Sequence, residues 1–193
     1  MARTKEFDPG EALDKAMGLF WRKGYFDTSM RDLVAETGVS HAGLYSTFGN
    51  KHDLFLASLD LYHKRVKGEM ASQLEAPDAA LPEIQGYFEG LLNMTKDPRF
   101  EAGCMICNAA IDLAPEDPAV SERVQSYLDR LVKAFRGALE RAKERGQVRE
   151  GLDPEAAADV LGSTLVALGS FQRAGMSEER LEKFAKNTLA TLT

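Results

Sequence analysis

Apolar residues recur along most of the chain at intervals of three and four positions, which is the spacing of one face of an α-helix. The short runs of alternating apolar and polar residues that are typical of strands are missing. The pattern therefore predicts an all-α protein of about nine helices. We expect a small three-helix domain over residues 1–50 and a larger helical bundle over residues 51–193.

Residues that favour helix ends divide the N-terminal part into short elements. Thr28 is the predicted N-cap of a short helix that ends at Gly38. Ser40 is the predicted cap of a second short helix. Asn50 is the predicted cap of a longer helix, which we expect to run to Gly68 and to connect the two domains.

The two short helices and the tight glycine turn between them have the spacing of a helix-turn-helix. In that motif the second helix enters the major groove of DNA, while helix N-termini bind phosphates. Two short helices joined by a glycine turn also occur in ordinary helical domains. The spacing alone therefore leaves a purely structural role open.

The charge balance excludes a basic protein that coats nucleic acid without selectivity, because 24 Lys and Arg stand against 30 Asp and Glu. Residues 1–51 hold seven basic and seven acidic residues, so DNA binding there would depend on where the cations lie. Arg31 and Lys51 are the candidates. Arg3 and Lys5 form a terminal arm that either reaches an adjacent groove or stays solvated.

The sequence also indicates a compartment. The first residues lack the apolar run of a secretory signal, and no stretch reaches the roughly 18 apolar residues of a membrane span. Cys104 and Cys107 lie too close together to staple distant parts of the chain, which fits a reducing compartment. We therefore expect a cytoplasmic protein that does not bind a membrane.

The two cysteines leave three roles open: buried packing, thiol sensing and half of a metal site. A zinc site needs four ligands, and His52 and His63 are about 16 Å apart along one predicted helix, so we expect no metal. The chain has no zinc-protease motif, phosphate-binding glycine loop or nucleophilic serine elbow. We expect no cofactor and no enzyme activity; the alternatives are a thiol oxidoreductase that uses Cys104 and Cys107, and a protein-binding helical adaptor.

Two stretches, from Phe26 to Ser40 and from Gly43 to Phe55, closely resemble the TetR family of transcriptional regulators. The resemblance covers about residues 8 to 56. It includes the family's Leu-Tyr-x-x-Phe-x-x-Lys run, whose first residue here is Leu44 and whose last is Lys51. The run from Gly103 to Asn108 also resembles a branch of that family with a Gly-Cys-x-x-x-Asn signature.

The resemblance implies a DNA-binding surface in which helix starts meet the backbone and the second helix of the motif meets base edges. At two of these positions the sequence departs from the family: His41 stands where many relatives have Lys or Arg, and Gly43 where many have Thr or Ser. The operator sequence is therefore not predictable. The implied contacts to the phosphate backbone are Thr28, Arg31, Tyr45, Thr47 and Lys51. The residues implied to face the groove are Ser40, His41, Ala42 and Gly43.

The resemblance also implies a homodimer that pairs its last two helices and reads a palindromic operator. These helices are predicted from Pro154 to Ala174 and from Ser177 to Leu192, and the same apolar positions could instead be internal core. The candidate contacts are Val160, Leu161, Leu165, Leu168, Phe171, Leu181, Phe184, Leu189 and Leu192.

The regulators of this family are most often repressors, and release from DNA would follow from a small apolar ligand or from modification of Cys104. Such a ligand, whose identity the sequence does not indicate, would bind in the C-terminal bundle, and the helix from Lys51 to Gly68 would transmit the change. Ordinary core packing is the alternative role of each lining residue. The candidates are Phe88, Leu92, Cys104, Met105, Cys107, Asn108, Tyr127 and Phe171.

Overall fold

The structure is a computed structural model that describes residues 7–97 and 100–193. Within these ranges it contains ten α-helices and no strand, which confirms the all-α prediction. A π-helical segment, His63–Lys67, joins α4 to α5. The helices are α1 (Pro9–Lys23), α2 (Met30–Thr37), α3 (His41–Phe48), α4 (Lys51–Tyr62), α5 (Gly68–Leu74), α6 (Leu81–Thr95), α7 (Met105–Asp112), α8 (Pro118–Glu144), α9 (Pro154–Arg173) and α10 (Glu178–Ala190).

The chain forms two compact units, one that ends at Arg65 and one that begins at Val66. The N-terminal unit extends past residue 50 because α4 packs against α1. Phe20 meets Phe55 edge to face at a centroid distance of 5.1 Å, and Trp21 meets Tyr62 at 4.9 Å. Such aromatic pairs bury large apolar areas and so fix α4 on the first three helices.

The predicted single helix from residue 51 to residue 68 is wrong in detail. Regular α-helix ends at Tyr62, five π-helical residues follow, and a new α-helix begins at Gly68. The π-helical pattern bonds each residue one position further along the chain than an α-helix does. Apolar spacing of three and four does not distinguish so short a segment from α-helix, and this division accounts for the additional helix.

In the C-terminal unit, α8 packs against α5, α6, α7 and α9. Its predicted apolar stripe is confirmed as core from Val120 to Leu139, with Leu128 half-buried. Helix α9 lies close to α8 because it has a glycine at their contact. A Cβ at Gly162 would lie 2.7 Å from Val132 Cγ2 of α8. No helix in the described ranges is long and apolar enough to cross a membrane.

Candidate nucleic-acid interface

Helices α2 and α3 are joined by a tight turn whose first residue has a backbone conformation that few residue types adopt. Gly38 has a φ of 73°, and its N–H donates to the carbonyl oxygen of Val34 at 3.0 Å. This left-handed conformation favours glycine and ends α2. Val39 then turns inward, and Ser40 Oγ accepts from Gly43 N at 3.1 Å to begin α3. The predicted cap at Ser40 is confirmed.

Helix α3 has one buried and one open face. Leu44 is almost fully buried and anchors the helix on the unit. His41, Ala42, Tyr45 and Ser46 are exposed. The rings of His41 and Tyr45 lie 4.6 Å apart at an angle of 32°, so each restricts the other's rotamers. The open face therefore presents polar side chains in restricted positions, as contacts with base edges in the major groove require.

Gly43 lies between these two faces, and packing explains its missing side chain. A Cβ there would lie 2.9 Å from Val39 Cγ1 and 3.3 Å from Phe7 Cε1. Phe7 thus sits against the start of α3, where a larger residue would collide with it. Arg3 and Lys5, the predicted terminal arm, lie outside the described residues.

Two of the predicted DNA contacts are turned inward, and this corrects the predicted set. Thr28 is fully buried, and its hydroxyl donates to the carbonyl oxygen of Gly24 at 2.6 Å. The N-cap of α2 is Ser29, whose hydroxyl accepts from Asp32 N at 3.2 Å. The Thr47 hydroxyl oxygen is also buried, and it has no hydrogen-bond partner. Neither threonine side chain faces a phosphate in this conformation.

Asp32 joins the start of α2 to the end of α1. Its carboxylate accepts from Lys23 Nζ at 2.8 Å and from the backbone N–H and hydroxyl of Ser29 at 2.8 and 2.7 Å. The hydrogen bond from Lys23 and those from Ser29 hold the pKa of Asp32 well below its usual range. The acidic charge next to the motif is thereby neutralised within the protein.

The remaining cations of this part of the chain separate into two groups. Lys15, Arg22 and Lys23 are in ion pairs with acidic side chains of the same unit. Within residues 7–51, Arg31 and Lys51 are in no ion pair. Among residues 7–51, the two cations named from sequence are therefore available to contact phosphates.

Lys51 occupies the first position of α4, whose predicted cap Asn50 is confirmed by bonds from His52 N and Asp53 N at 2.8 and 3.0 Å. Its Nζ lies 4.3 Å from the ring centroid of Tyr25. Burial lowers the pKa of Lys51, while the nearby carboxylates of Asp27 and Asp32 act in the opposite direction.

The candidate ligand residues in the C-terminal unit have unequal positions. Leu92 is half-buried, whereas Phe171 is 36% exposed and packs against Phe184 of α10 at 5.7 Å. The structure therefore does not support Phe171 as a lining residue of an internal site. The other candidates are buried: Phe88, Cys104, Met105, Cys107, Asn108 and Tyr127.

Tyr87 is a residue of this buried region that sequence reasoning did not select. Its side chain is hydrogen-bonded to that of Tyr127 and lies near Cys104 and Cys107, and burial raises its pKa. The only signal in the sequence was its place in the apolar stripe of α6, which is also the signal of ordinary core.

The run from Gly103 to Asn108 has a packing explanation. Gly103 has a φ of 72°, and a Cβ there would overlap the carbonyl oxygen of Gly169 in α9. Asn108 Nδ2 donates to the carbonyl oxygen of Ala102 at 2.9 Å, which closes the turn before α7. Cys104 and Cys107 are buried thiols rather than a disulfide. In the part of the chain that the structure describes, no three His, Cys, Asp or Glu side chains cluster as metal ligands do.

The second helix is exposed, two helix starts are capped, and beside them lie cations without an ion pair among the described residues. Together these features define a helix-turn-helix protein that reads DNA. Residues 12–58 match the bacterial regulatory proteins of the tetR family, and residues 80–188 match the tetracyclin repressor-like C-terminal domain. The chain therefore belongs to the TetR family: it is a DNA-binding transcriptional regulator and not an enzyme.

Similar proteins match this chain over nearly its whole length. It is 32% identical to YezE of Bacillus subtilis, an uncharacterized HTH-type transcriptional regulator, over 100% of both chains. It is 32% identical to the HTH-type transcriptional repressor ComR of Escherichia coli over 97% of this chain and 90% of ComR. A cysteine variant of the TetR family regulator CifR, solved with a 26-base-pair operator duplex, has the same fold, with a TM-score of 0.86 at 24% identity over 100% of both chains.

Proposed function

We propose that this regulator is a repressor that binds a palindromic operator as a homodimer, with α3 in the major groove. The main support is the open face of α3 together with Arg31 and Lys51, which form no ion pair with any residue that the structure describes. ComR, with which the chain shares 32% identity, is named a repressor, and CifR was solved on operator DNA. Base edges would be read by His41 and Ala42, and Tyr45 would contact the DNA backbone.

The proposed dimer surface lies on α9 and α10. Leu161, Leu165, Leu168, Leu181 and Leu192 are internal core, as the alternative reading allowed. Val160 is 52% exposed and Phe171 36%, while Phe184 and Leu189 are half-buried. These four leave an apolar surface on the last two helices, and two heads related by a twofold axis would read half-sites about 34–36 Å apart.

Release from DNA is proposed to occur through the C-terminal unit, by a small apolar ligand among the buried candidates or by modification of Cys104. A ligand that binds the DNA-incompetent arrangement more tightly weakens operator binding by the same coupling, typically about 1–3 kcal/mol. The two neighbouring buried thiols support this region as the place where a ligand or reagent acts.

The proposal is tested by selecting duplexes from a random pool with the purified protein and measuring affinity for the selected sequence. We expect a palindrome. Lys51→Ala should weaken binding about tenfold per head, because a charge-assisted phosphate contact is lost. It should also lower the slope of log affinity against log salt by about two for a dimer. Lys133→Ala removes an exposed cation of α8, outside the proposed DNA and dimer surfaces, and is the matched control, with no expected change.

Other results would favour the alternatives. Selection of no duplex at low salt, with the fold intact, would contradict the proposal. Turnover of a disulfide substrate without DNA would favour a thiol oxidoreductase at Cys104 and Cys107. Unchanged affinity after both Tyr45→Ala and Lys51→Ala would remove the assigned surface.

A further inference from the structure

The ammonium group of Lys51 is held in an unusual place for a cation. It belongs to the first residue of α4, where the helix dipole disfavours positive charge. It nevertheless lies 4.3 Å from the ring centroid of Tyr25, within the range of a cation–π contact. The negative face of the ring offsets the positive end of the helix.

The Tyr25 ring is itself fixed by its neighbours. It lies 5.0 Å from the ring of Phe55, 5.5 Å from that of Phe26 and 6.2 Å from that of Phe20, measured between centroids. Phe20 and Phe55 are buried core residues of α1 and α4. The Tyr25 ring, which contacts Lys51, is therefore held in place by the packed core of the unit.

The carboxylates near Lys51 act to raise its pKa, against the lowering by burial, and neither Asp27 nor Asp32 forms an ion pair with it. Asp27 and Asp32 act on Lys51 over a distance, but Asp32 already accepts from Lys23 and Ser29. Within the described residues Lys51 is in no ion pair. Its ammonium is thus restricted by a ring and still has its charge available to an anion.

We propose that Tyr25 is a positioning residue that holds the Lys51 ammonium ready for a DNA phosphate. The inference rests on the proposed function, in which Lys51 contacts the operator backbone. A lysine has many rotamers, and an anion that binds it must immobilise them. A side chain already restricted by the Tyr25 ring loses less entropy, so binding is tighter.

The test replaces Tyr25 by phenylalanine carrying no, one, two or three ring fluorines. Fluorine withdraws charge from the ring face and leaves the shape nearly unchanged, so the cation–π contact weakens. The contacts of the same ring with Phe20, Phe26 and Phe55 change as well, and a background without the Lys51 charge controls for them. We expect the Kd for the selected operator to rise stepwise along the series, by about two- to fivefold for each head. In a Lys51→Met background, which keeps an unbranched side chain without charge, the same series should leave Kd constant.

An NMR measurement on the protein without DNA accompanies the measurements of operator affinity. The protons on Cε of a lysine that lies over an aromatic ring are shifted upfield in the NMR spectrum. In the variants that keep Lys51, the chemical shift of these protons should move toward its usual value as ring fluorines are added. Thermal unfolding of each variant checks that the core is intact.

The outcomes separate the two proposals. If Lys51→Met weakens binding but the series leaves Kd constant in the wild-type background, Tyr25 does not position Lys51, and the proposed function stands. If the series changes Kd equally in both backgrounds, the role of Tyr25 is structural. If the wild-type protein binds no duplex, the proposed function fails and this inference fails with it.

Discussion

Cys104 is the N-cap residue of α7, and its surroundings decide how it can react. It is 8% exposed, and a Cβ at Gly169 of α9 would lie 2.9 Å from Cys104 Cβ and 3.4 Å from Cys107 Sγ. Both thiols are buried, so a reagent reaches them only when the packing around α7 opens. The contact between α7 and α9 at Gly169 leaves no room for a bulky group on Cys104, so such a group would hold the two helices apart.

We predict that alkylation of Cys104 releases operator DNA. The expected loss of affinity is about 5–150-fold, the range of typical coupling between two sites. Binding is measured before and after treatment with N-ethylmaleimide. Cys104→Ser should abolish the effect, and Cys107→Ser, which removes the neighbouring buried thiol, should retain it. A Cys104→Ser protein that the reagent still releases would remove Cys104 as the sensor.

The N-cap of a helix was predictable from the sequence where only one residue near the helix start was a good cap. Ser40 and Asn50 cap α3 and α4 as predicted. At the start of α2, however, Thr28 and Ser29 are adjacent, and both are good caps by residue type. Asp32 decides between them, since it lies three residues after Ser29 and completes a capping box there. The inward turn of Thr47 depends on contacts between helices, which its own position in the sequence does not reveal.

Among the elements, α9 packs closely against its neighbours at two glycines. Gly162 faces α8, and Gly169 faces Cys104 at the start of α7. Glycine in the middle of a helix costs backbone entropy, so its presence is explained by the close approach that it permits. The same chain has a helical glycine without that constraint, because nothing lies within 4 Å of a Cβ at Gly86 in α6.

We predict that Gly169→Ala destabilises the protein by about 1–3 kcal/mol, as overpacking of a close contact does. Gly86→Ala is the matched control and should instead stabilise it by about 0.5–1 kcal/mol, because only the gain in helix propensity remains. Urea unfolding followed by circular dichroism measures both changes. Equal effects of the two substitutions would show that the contact between α7 and α9 is not tight in solution.

The sequence predicted helices well where apolar stripes are long, and less well where helices are divided. The stripe of α8 extends over many turns, so its buried face could be assigned from spacing alone. Between α4 and α5 the apolar spacing continues while the hydrogen-bond pattern changes to π-helical. That change depends on local backbone geometry rather than on which residues are apolar.

The whole molecule combines a small head with a larger helical unit, and the proposed dimer would bring two heads onto one operator. Neither head alone presents many contacts, since its described unpaired cations up to residue 51 are Arg31 and Lys51. Linking two such modules multiplies their affinities through effective concentration. Operator binding should therefore depend strongly on dimerisation.

We predict that Phe171→Glu disrupts the dimer, because it places a charge within the exposed apolar surface of α9. Light scattering during gel filtration should then give the monomer mass of 21.2 kDa. Affinity for the palindrome should fall about 10²–10⁴-fold. Ile111→Glu is the matched control, since Ile111 is 64% exposed on α7 and outside the proposed surface. A dimer that survives Phe171→Glu, or is lost with Ile111→Glu, would place the interface elsewhere.

The contact between Phe7 and Gly43 has a practical consequence for work with this protein. A side chain at position 43 would enter the space between Val39 and Phe7, so a variant enlarged there to alter base contacts would also displace the start of α3. Engineered changes of operator preference should therefore begin at His41 or Ala42, whose exposed side chains leave that packing intact.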